Sequence, residues 1–378
     1  MKKRLTAAIL LVATIIILFT GCSPSWEIQI SQDGSSKVFS SQEWADLMED
    51  FGESETCSGL SAEIVFYHMG AAILDTVSLE LSEGEEVIIR WPEDADDACF
   101  TSRGYFLVNG KGYQPLSVRL ISNPFFDGTQ HITGVTASAA NALGMDAGNF
   151  PGDSLLEEEY SHLVLVFLDA FGWDQYERAV KEELIPNIAA YSEIHKAVTV
   201  YPPRTSIATA ALLTGLMPGE SGVDRGGIRS TEALTILDLA VGAGITPYVV
   251  EGESLPFNYR NAEIILSGDR DQDGSTDDNV FKNAVDVIEN SNPRFLIVHF
   301  HGIDDQGHTY GPESKQVAET IREIDHYFGE IRDALPSDTL VIAFADHGMH
   351  EVNEGVRTGN HGNLIYQDMA VPILIYKK

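Results

Sequence analysis

The stretch HLVLVFL, His162–Leu168, runs directly into Asp169-Ala170-Phe171-Gly172. Six apolar residues in a row, with no polar alternation, read as a strand buried on both faces in a parallel sheet. Five further runs share that texture: Lys196–Tyr201, Thr246–Val250, Arg294–Phe300, Thr339–Ala345 and Val371–Tyr376. Helical patterns lie between them at about Thr231–Val241, Asp278–Asn290 and Glu313–Ala334. Strands alternating with helices predict an α/β fold, a mostly parallel central sheet with helices on both faces. Ligands of such sheets gather at the carboxyl ends of the strands.

The polar residues of this region cluster at those ends. Asp169 follows the first strand, and Tyr201-Pro202-Pro203-Arg204-Thr205-Ser206 closes the second. Another strand enters His301-Gly302-Ile303-Asp304-Asp305-Gln306-Gly307-His308. Then come Ala345-Asp346-His347-Gly348 and Gly359-Asn360-His361-Gly362. Three carboxylates (Asp169, Asp304, Asp346) and three imidazoles (His308, His347, His361) suit two zinc-like divalent ions, with manganese left open. One Asp-His pair after a strand is an ordinary capped loop. Five such segments in one domain are hard to explain by packing, because buried carboxylates without a cation are costly.

These segments resemble the alkaline phosphatase superfamily and, within it, the type I phosphodiesterase/nucleotide pyrophosphatase family. The resemblance rests on Asp304-x-x-Gly307-His308-x-x-Gly311-Pro312, on Ala345-Asp346-His347-Gly348-Met349, and on Thr205 placed nine residues before Thr214-Gly215. Ser221-Gly222-Val223 also fits, and the pieces follow the family's order over residues 161–378. The resemblance implies an alkaline phosphatase-like catalytic domain with two zinc sites. One would use Asp304, His308 and His361; the other Asp169, Asp346 and His347, with Thr205 as a further ligand. It also implies that Thr205 is the nucleophile, activated by zinc and passing through a phosphothreonine. A helix starting at Thr205 would help hold the phosphate. Ser206 is the competing hydroxyl, and helix capping is the ordinary role of both. The implied function is cleavage of a phosphodiester or pyrophosphate bond in a small phosphate ester. The alternatives are a phosphomonoesterase or another ester hydrolase of the superfamily, and a surface binding protein with an inactive enzyme fold.

Two features depart from the family pattern. The Asn expected a few residues after Ser221-Gly222-Val223 is replaced by Asp224-Arg225-Gly226-Gly227-Ile228-Arg229. Arg225 or Arg229 is therefore a candidate phosphate contact, against the alternative of a solvated loop arginine. Only 98 residues lie between Thr205 and Asp304, which leaves little room for insertions. Phe171 and Trp173 could stack a base, or belong to the core. Asp269, Asp271, Asp273 and Asp277 fall at calcium-loop spacing, but the twelfth position is Val280 rather than Glu. The alternative there is a solvated acidic turn that caps a helix. His299 and His301 lie close to the metal segments, and His301 is expected to support a ligand rather than to be one.

The N-terminus reads as an address. Lys2, Lys3 and Arg4 precede an uncharged run, Leu5–Thr20, that is short for a membrane span. Phe19-Thr20-Gly21-Cys22 resembles a bacterial lipobox, which makes residues 1–22 a signal peptide and Cys22 the lipidated residue. A plain signal peptide or an uncleaved anchor is the alternative. Either predicts export, and the lipobox adds a lipid anchor at the outer face of the bacterial cytoplasmic membrane or the cell envelope. Export permits a disulfide between Cys57 and Cys99. Residues 23–143 read as a mainly β module of unknown role, from short runs at Glu63–Tyr67, Glu86–Trp91, Tyr105–Val108 and Ser117–Ile121 and one helix near Trp44–Phe51. Residues 144–160 read as a linker. Ser23 to Tyr160 carries 24 acidic and 5 basic residues, and the whole chain a formal charge of -33, which argues against a nucleic-acid polymer as partner.

Overall fold

The computed structural model describes residues 25–378 except 33–34, 55–56, 69–73, 92–94, 96, 123–129, 192 and 355. The predicted signal segment and Cys22 lie outside the described residues. The described residues fall into two compact units, one ending at Ser122 and the other following it to Lys378.

The second unit is a mixed α/β domain around an eight-stranded sheet. Its strands are β1 (Gln130–His131), β2 (His162–Leu168), β3 (Glu193–Val198), β4 (Pro247–Glu251), β5 (Glu263–Leu266), β6 (Phe295–Phe300), β7 (Thr339–Phe344) and β8 (Ala370–Lys377). They lie in the order β1-β3-β8-β7-β2-β6-β4-β5. β2 sits between β7 and β6, parallel to both, and Leu163 to Leu168 are all buried. β8 alone runs antiparallel to its neighbours. The uninterrupted apolar runs therefore did mark the inner strands. β5 and β1 escaped notice because Glu263–Leu266 is a mostly exposed edge and Gln130–His131 is only two residues long.

Seven helices are used below: α1 (Gly134–Ala142), α2 (Trp173–Lys181), α3 (Thr205–Thr214), α4 (Ile236–Gly242), α5 (Asp277–Ser291), α6 (Gly302–Tyr310) and α7 (Lys315–Ala334). α7 starts where Ser314 accepts a hydrogen bond from Val317 N, an ordinary N-cap. α1 shows no amphipathic stripe, because eight of its nine small residues are buried. This helix corrects the predicted domain limits. Residues 130–143 belong to the second unit, and 144–160 are packed rather than a free linker. Leu155 N donates to Ser138 Oγ at 2.8 Å, Asn141 Nδ2 to Leu156 O at 2.9 Å, and Tyr160 N to Ala142 O at 2.8 Å. Side chains of α1 thus satisfy backbone groups of the segment that resembled a linker, and the Tyr160 N–H satisfies a carbonyl at the end of α1.

The first unit holds a five-stranded sheet, Glu27–Gln32, Ser35–Ser40, Leu74–Glu80, Glu86–Arg90 and Ser117–Ser122, and a four-stranded one. Its helix Ser41–Phe51 opens with a capping box between Ser40 and Glu43. The run Glu63–Tyr67 is helical rather than extended, within Ala62–His68. Ala62, Val65 and Phe66 fall at helical spacing and face the core, a period that so short a run conceals. Cys57 and Cys99 are joined, with Cα atoms 6.5 Å apart. Closing a loop of 42 residues stabilises this unit by about 4 kcal/mol. Replacing both cysteines by serine is expected to lower the melting transition of the first unit and spare that of the second. Calorimetry showing both transitions unmoved would refute a structural role for the bond.

Candidate active site

Three adjacent parallel strands bring the first ligand atoms together. Asp169 directly follows β2, Asp304 lies in the first turn of α6 after β6, and Asp346 and His347 follow β7. The register that pairs Leu168 with Phe300 and Phe167 with Phe344 sets these exits side by side. Asp304 and His308 are four residues apart on α6 and so share one helix face. His361 follows the strand Arg357–Asn360, whose hairpin partner is His350–Glu354. Gly348 lets the loop after β7 pass close by, since a Cβ there would meet Gln367 O at 2.0 Å.

Each of the three predicted histidine ligands has its proton position set by backbone. His308 Nδ1–H donates to Gly359 O at 2.9 Å, His347 Nδ1–H to Gly348 O at 3.0 Å and His361 Nδ1–H to Pro203 O at 2.9 Å. That leaves three Nε2 lone pairs facing the carboxylates. His308 Nε2 and His361 Nε2 each stand 3.4 Å from an oxygen of Asp304. His347 Nε2 lies 3.2 Å from Asp346 Oδ2 and 3.4 Å from Asp169 Oδ1. Ligands bound to zinc at about 2.0–2.1 Å stand about 3.3–3.4 Å apart along a tetrahedral edge.

The donor set fits divalent cations in other respects too. Asp346 Oδ1 accepts from Ala170 N and His347 N, while its Oδ2 has no hydrogen-bond partner among the described residues. Asp169 Oδ1 and Asp304 Oδ1 are likewise unpartnered and buried. Burial, reinforced by the charge of Asp169, pushes Asp304 and Asp346 well above the usual carboxylate range. Burial holds His361 and His347 below the usual imidazole range, and the mutual repulsion of these rings lowers His361 further. Neutral imidazoles beside crowded carboxylates are the set that bound cations complete.

Thr205 opens α3, with its Oγ1 3.3 Å from His347 Nε2. Of the two neighbouring hydroxyls, Thr205's is the one that meets a site histidine among the described contacts. No side chain caps this helix, and Ile207 N already donates to Arg204 O at 3.0 Å, which leaves the N–H groups of Thr205 and Ser206 for a ligand. Arg225 pairs with Asp224 at 3.2 Å, and Arg229 Nη1 donates to Leu255 O at 3.3 Å. The arginine that sequence reasoning missed is Arg204. Its guanidinium lies 3.4–3.7 Å from where a Gly362 Cβ would stand, beside His361, and has no hydrogen-bond or ion-pair partner among the described residues. Its place next to Thr205 was the available signal. Phe171 and Trp173 are 1% and 6% exposed, which makes them core rather than a stacking platform.

The acidic turn resolves into two parts. Asp269, Asp271 and Asp273 remain within reach of one another. Asp277 has left that group. It is buried, and accepts from His301 N and Gly302 N at 3.0 Å each, fixing the exit of β6. The four-carboxylate calcium set is therefore corrected, and Asp277 does not cap its own helix either: α5 has no side-chain cap, and the carboxylate holds the N–H groups at the start of α6 instead. Asp269 and Asp273 accept backbone N–H groups of their own turn. Asp368 was also missed. It is fully buried, accepts from Gly362 N and Asn363 N at 2.9 Å each, and takes the Nδ1–H of His350 at 2.7 Å.

Residues 237–368 match the family Type I phosphodiesterase / nucleotide pyrophosphatase. That span includes Asp304, His308, Asp346, His347 and His361, and leaves Asp169 and Thr205 outside it. The chain is 22% identical over 253 residues to the human GPI ethanolamine phosphate transferase 3, catalytic subunit, covering 60% of this chain and 22% of that protein. It is 30% identical over 132 residues to GPI ethanolamine phosphate transferase 3 of Eremothecium gossypii, covering 35% and 12%. The chain thus spans less than a quarter of the length of these relatives. Among solved structures, murine ectonucleotide pyrophosphatase / phosphodiesterase 5 aligns with a TM-score of 0.48 at 15% identity, covering 58% of this chain and 88% of that one.

Chelation is expected to destabilise the second unit. Each ion present at about 1,000 times its Kd contributes about 4 kcal/mol to folding. The melting temperature should fall with EDTA and return with added zinc. A melting curve indifferent to both would argue against ions in this cluster.

Proposed function

We propose that this chain, with its type I phosphodiesterase / nucleotide pyrophosphatase segment, cleaves a phosphodiester or pyrophosphate bond in a small phosphate ester, with Thr205 as nucleophile. The observation that carries this reading is the placement of Thr205 Oγ1 beside His347, at an uncapped helix start next to two His/Asp clusters. Asp304, His308 and His361 would hold one zinc-like ion; Asp169, Asp346, His347 and Thr205 would hold the other. When bound, such ions supply Lewis acidity and lower the pKa of a coordinated hydroxyl.

The chain's own residues do the rest. The N–H groups of Thr205 and Ser206 at the start of α3 are available to phosphate oxygens. Arg204 is the cation available to a further anionic oxygen. A bond forms from Thr205 Oγ1 to phosphorus as the leaving oxygen departs, and water then replaces Oγ1 to free the phosphate product. Calcium at the remaining acidic turn stays an open alternative to a solvated turn. Export and a lipid anchor at Cys22 belong to the same proposal.

A second reading, transfer to an alcohol rather than to water, is favoured by the transferase names of the curated relatives. The two differ only in what attacks the phosphothreonine. Adding glycerol to the assay separates them, since a transferase diverts product into a glycerol ester.

Full-length protein with zinc should hydrolyse bis-p-nitrophenyl phosphate faster than p-nitrophenyl phosphate. Thr205→Ala should lose about 10³-fold or more in kcat while keeping its metal content. Preference for the monoester would reverse the substrate assignment, and an active Thr205→Ala would remove the nucleophile. Arg204→Ala should lower kcat/KM about 10- to 100-fold, with part restored in Arg204→Lys. Unchanged kinetics would return the phosphate contact to another residue.

A further inference from the structure

The strand Glu86–Arg90 forms one edge of the five-stranded sheet in the first unit. It pairs antiparallel with Leu74–Glu80, with Ser78 facing Ile88, and has no neighbour on its other side among the described residues. Its sequence EVIIR alternates. Val87 and Ile89 lie on the packed face, opposite the buried Leu79 and Val77. Glu86, Ile88 and Arg90 share the outer face and are exposed, Ile88 to 65%.

An open edge presents unpaired N–H and C=O groups and accepts another strand unless charges blunt it. On the opposite edge strand, Ser35–Ser40, a lysine does so: Lys37 is exposed, and its Nζ reaches His68 O at 3.4 Å. The charges of Glu86–Arg90 are of opposite sign at its two ends. A copy laid antiparallel with Ile88 opposite Ile88 brings Glu86 against Arg90 twice, and Val87 against Ile89 on the packed face. A parallel copy in register sets Glu86 beside Glu86 and Arg90 beside Arg90, which repel. The edge is therefore complementary to its own antiparallel copy, as a two-fold contact between identical chains requires. Glu86 also has an oxygen to spare. Its Oε1 accepts from Ser78 Oγ and, at 3.0 Å, from Arg119 Nη2, while its Oε2 has no partner among the described residues.

We propose that Glu86–Arg90 is a self-association edge, through which the first units of two chains join their five-stranded sheets across a two-fold axis at Ile88. About four to six main-chain hydrogen bonds would form, according to which alternate residues point outward. The two Glu86–Arg90 pairs set the register, and the two Ile88 side chains cover each other at the centre. The formal charge of -33 on each chain opposes association at low salt, so the contact is expected to strengthen as salt is raised to physiological levels.

Full-length protein in detergent is measured by light scattering, with the detergent mass subtracted. Ionic strength is held at about 0.15 M, where charges more than about 8 Å apart are largely screened. The mass should rise from one chain to two as concentration approaches about 100 µM, a range that populates complexes of micromolar affinity. Glu86→Arg sets Arg against Arg at both ends of the contact, and Arg90→Glu sets Glu against Glu. Each should stay a single chain, with folding checked by circular dichroism. An equimolar mixture of the two variants should recover the two-chain mass, because each Arg then faces a Glu. Ile88→Cys should also form an interchain disulfide on mild oxidation, since opposed residues of an antiparallel pair have Cα atoms about 4.5–5.5 Å apart. Val38→Cys, which lies exposed on the opposite edge strand, should not. A single-chain mass for the unaltered protein throughout, or a two-chain mass in both single variants, would overturn this edge. A mixture that stays monomeric, or cross-linking no better at Ile88 than at Val38, would overturn the antiparallel pairing.

Discussion

Three carboxylates share one buried space at the ends of β2, β6 and β7, and they cannot all be ionised there without positive charge beside them. Asp169 is 2% exposed and Asp346 fully buried. Among the described residues no lysine or arginine pairs with them; imidazoles and backbone N–H groups do instead. A neutral imidazole gives a lone pair rather than a charge, and lone pairs beside carboxylates are a donor set suited to a cation. The backbone carbonyls at Pro203, Gly348 and Gly359 fix this outcome by holding each ligand ring in one tautomer.

Much of the catalytic unit was legible because its signals are local. A strand buried on both faces must be apolar throughout, so β2, β6 and β7 stand out as runs. The Asp304–His308 pair is readable because four residues make one helical turn. What the sequence hid depends on long-range pairing or on residues with two ordinary meanings. α1 is small and buried on every side, so no stripe marks it. Asp277 sits at calcium-loop spacing, yet its carboxylate belongs to the turn after β6. Arg225 and Arg229 look like phosphate ligands until the structure shows them occupied by Asp224 and Leu255 O. Glu251 ends β4 as an isolated acid, and only the sheet order brings it against β6 and its two histidines.

The site also shows a division between positions that bind and positions that orient. Thr205, Arg204 and the ligand atoms face a common space. Glu251, Asp277 and Asp368 face away from it and hold backbone or ring N–H groups. All three of these acids are buried, and each bonds to at least two donors, as buried carboxylates must. The family match over residues 237–368 covers most of these groups and leaves Asp169, Arg204 and Thr205 outside it.

Asp368 adds a mechanical consequence. Its carboxylate grips Gly362 and Asn363, and its own carbonyl accepts from Gly348 N at 2.8 Å. The residues just before those grips are His361 and His347, one from each cluster. A single buried side chain and its backbone therefore act as a spacer bar between the two. The gap between the two clusters is written into the polypeptide as a fixed gauge, which anything seated between them would have to fit rather than reset.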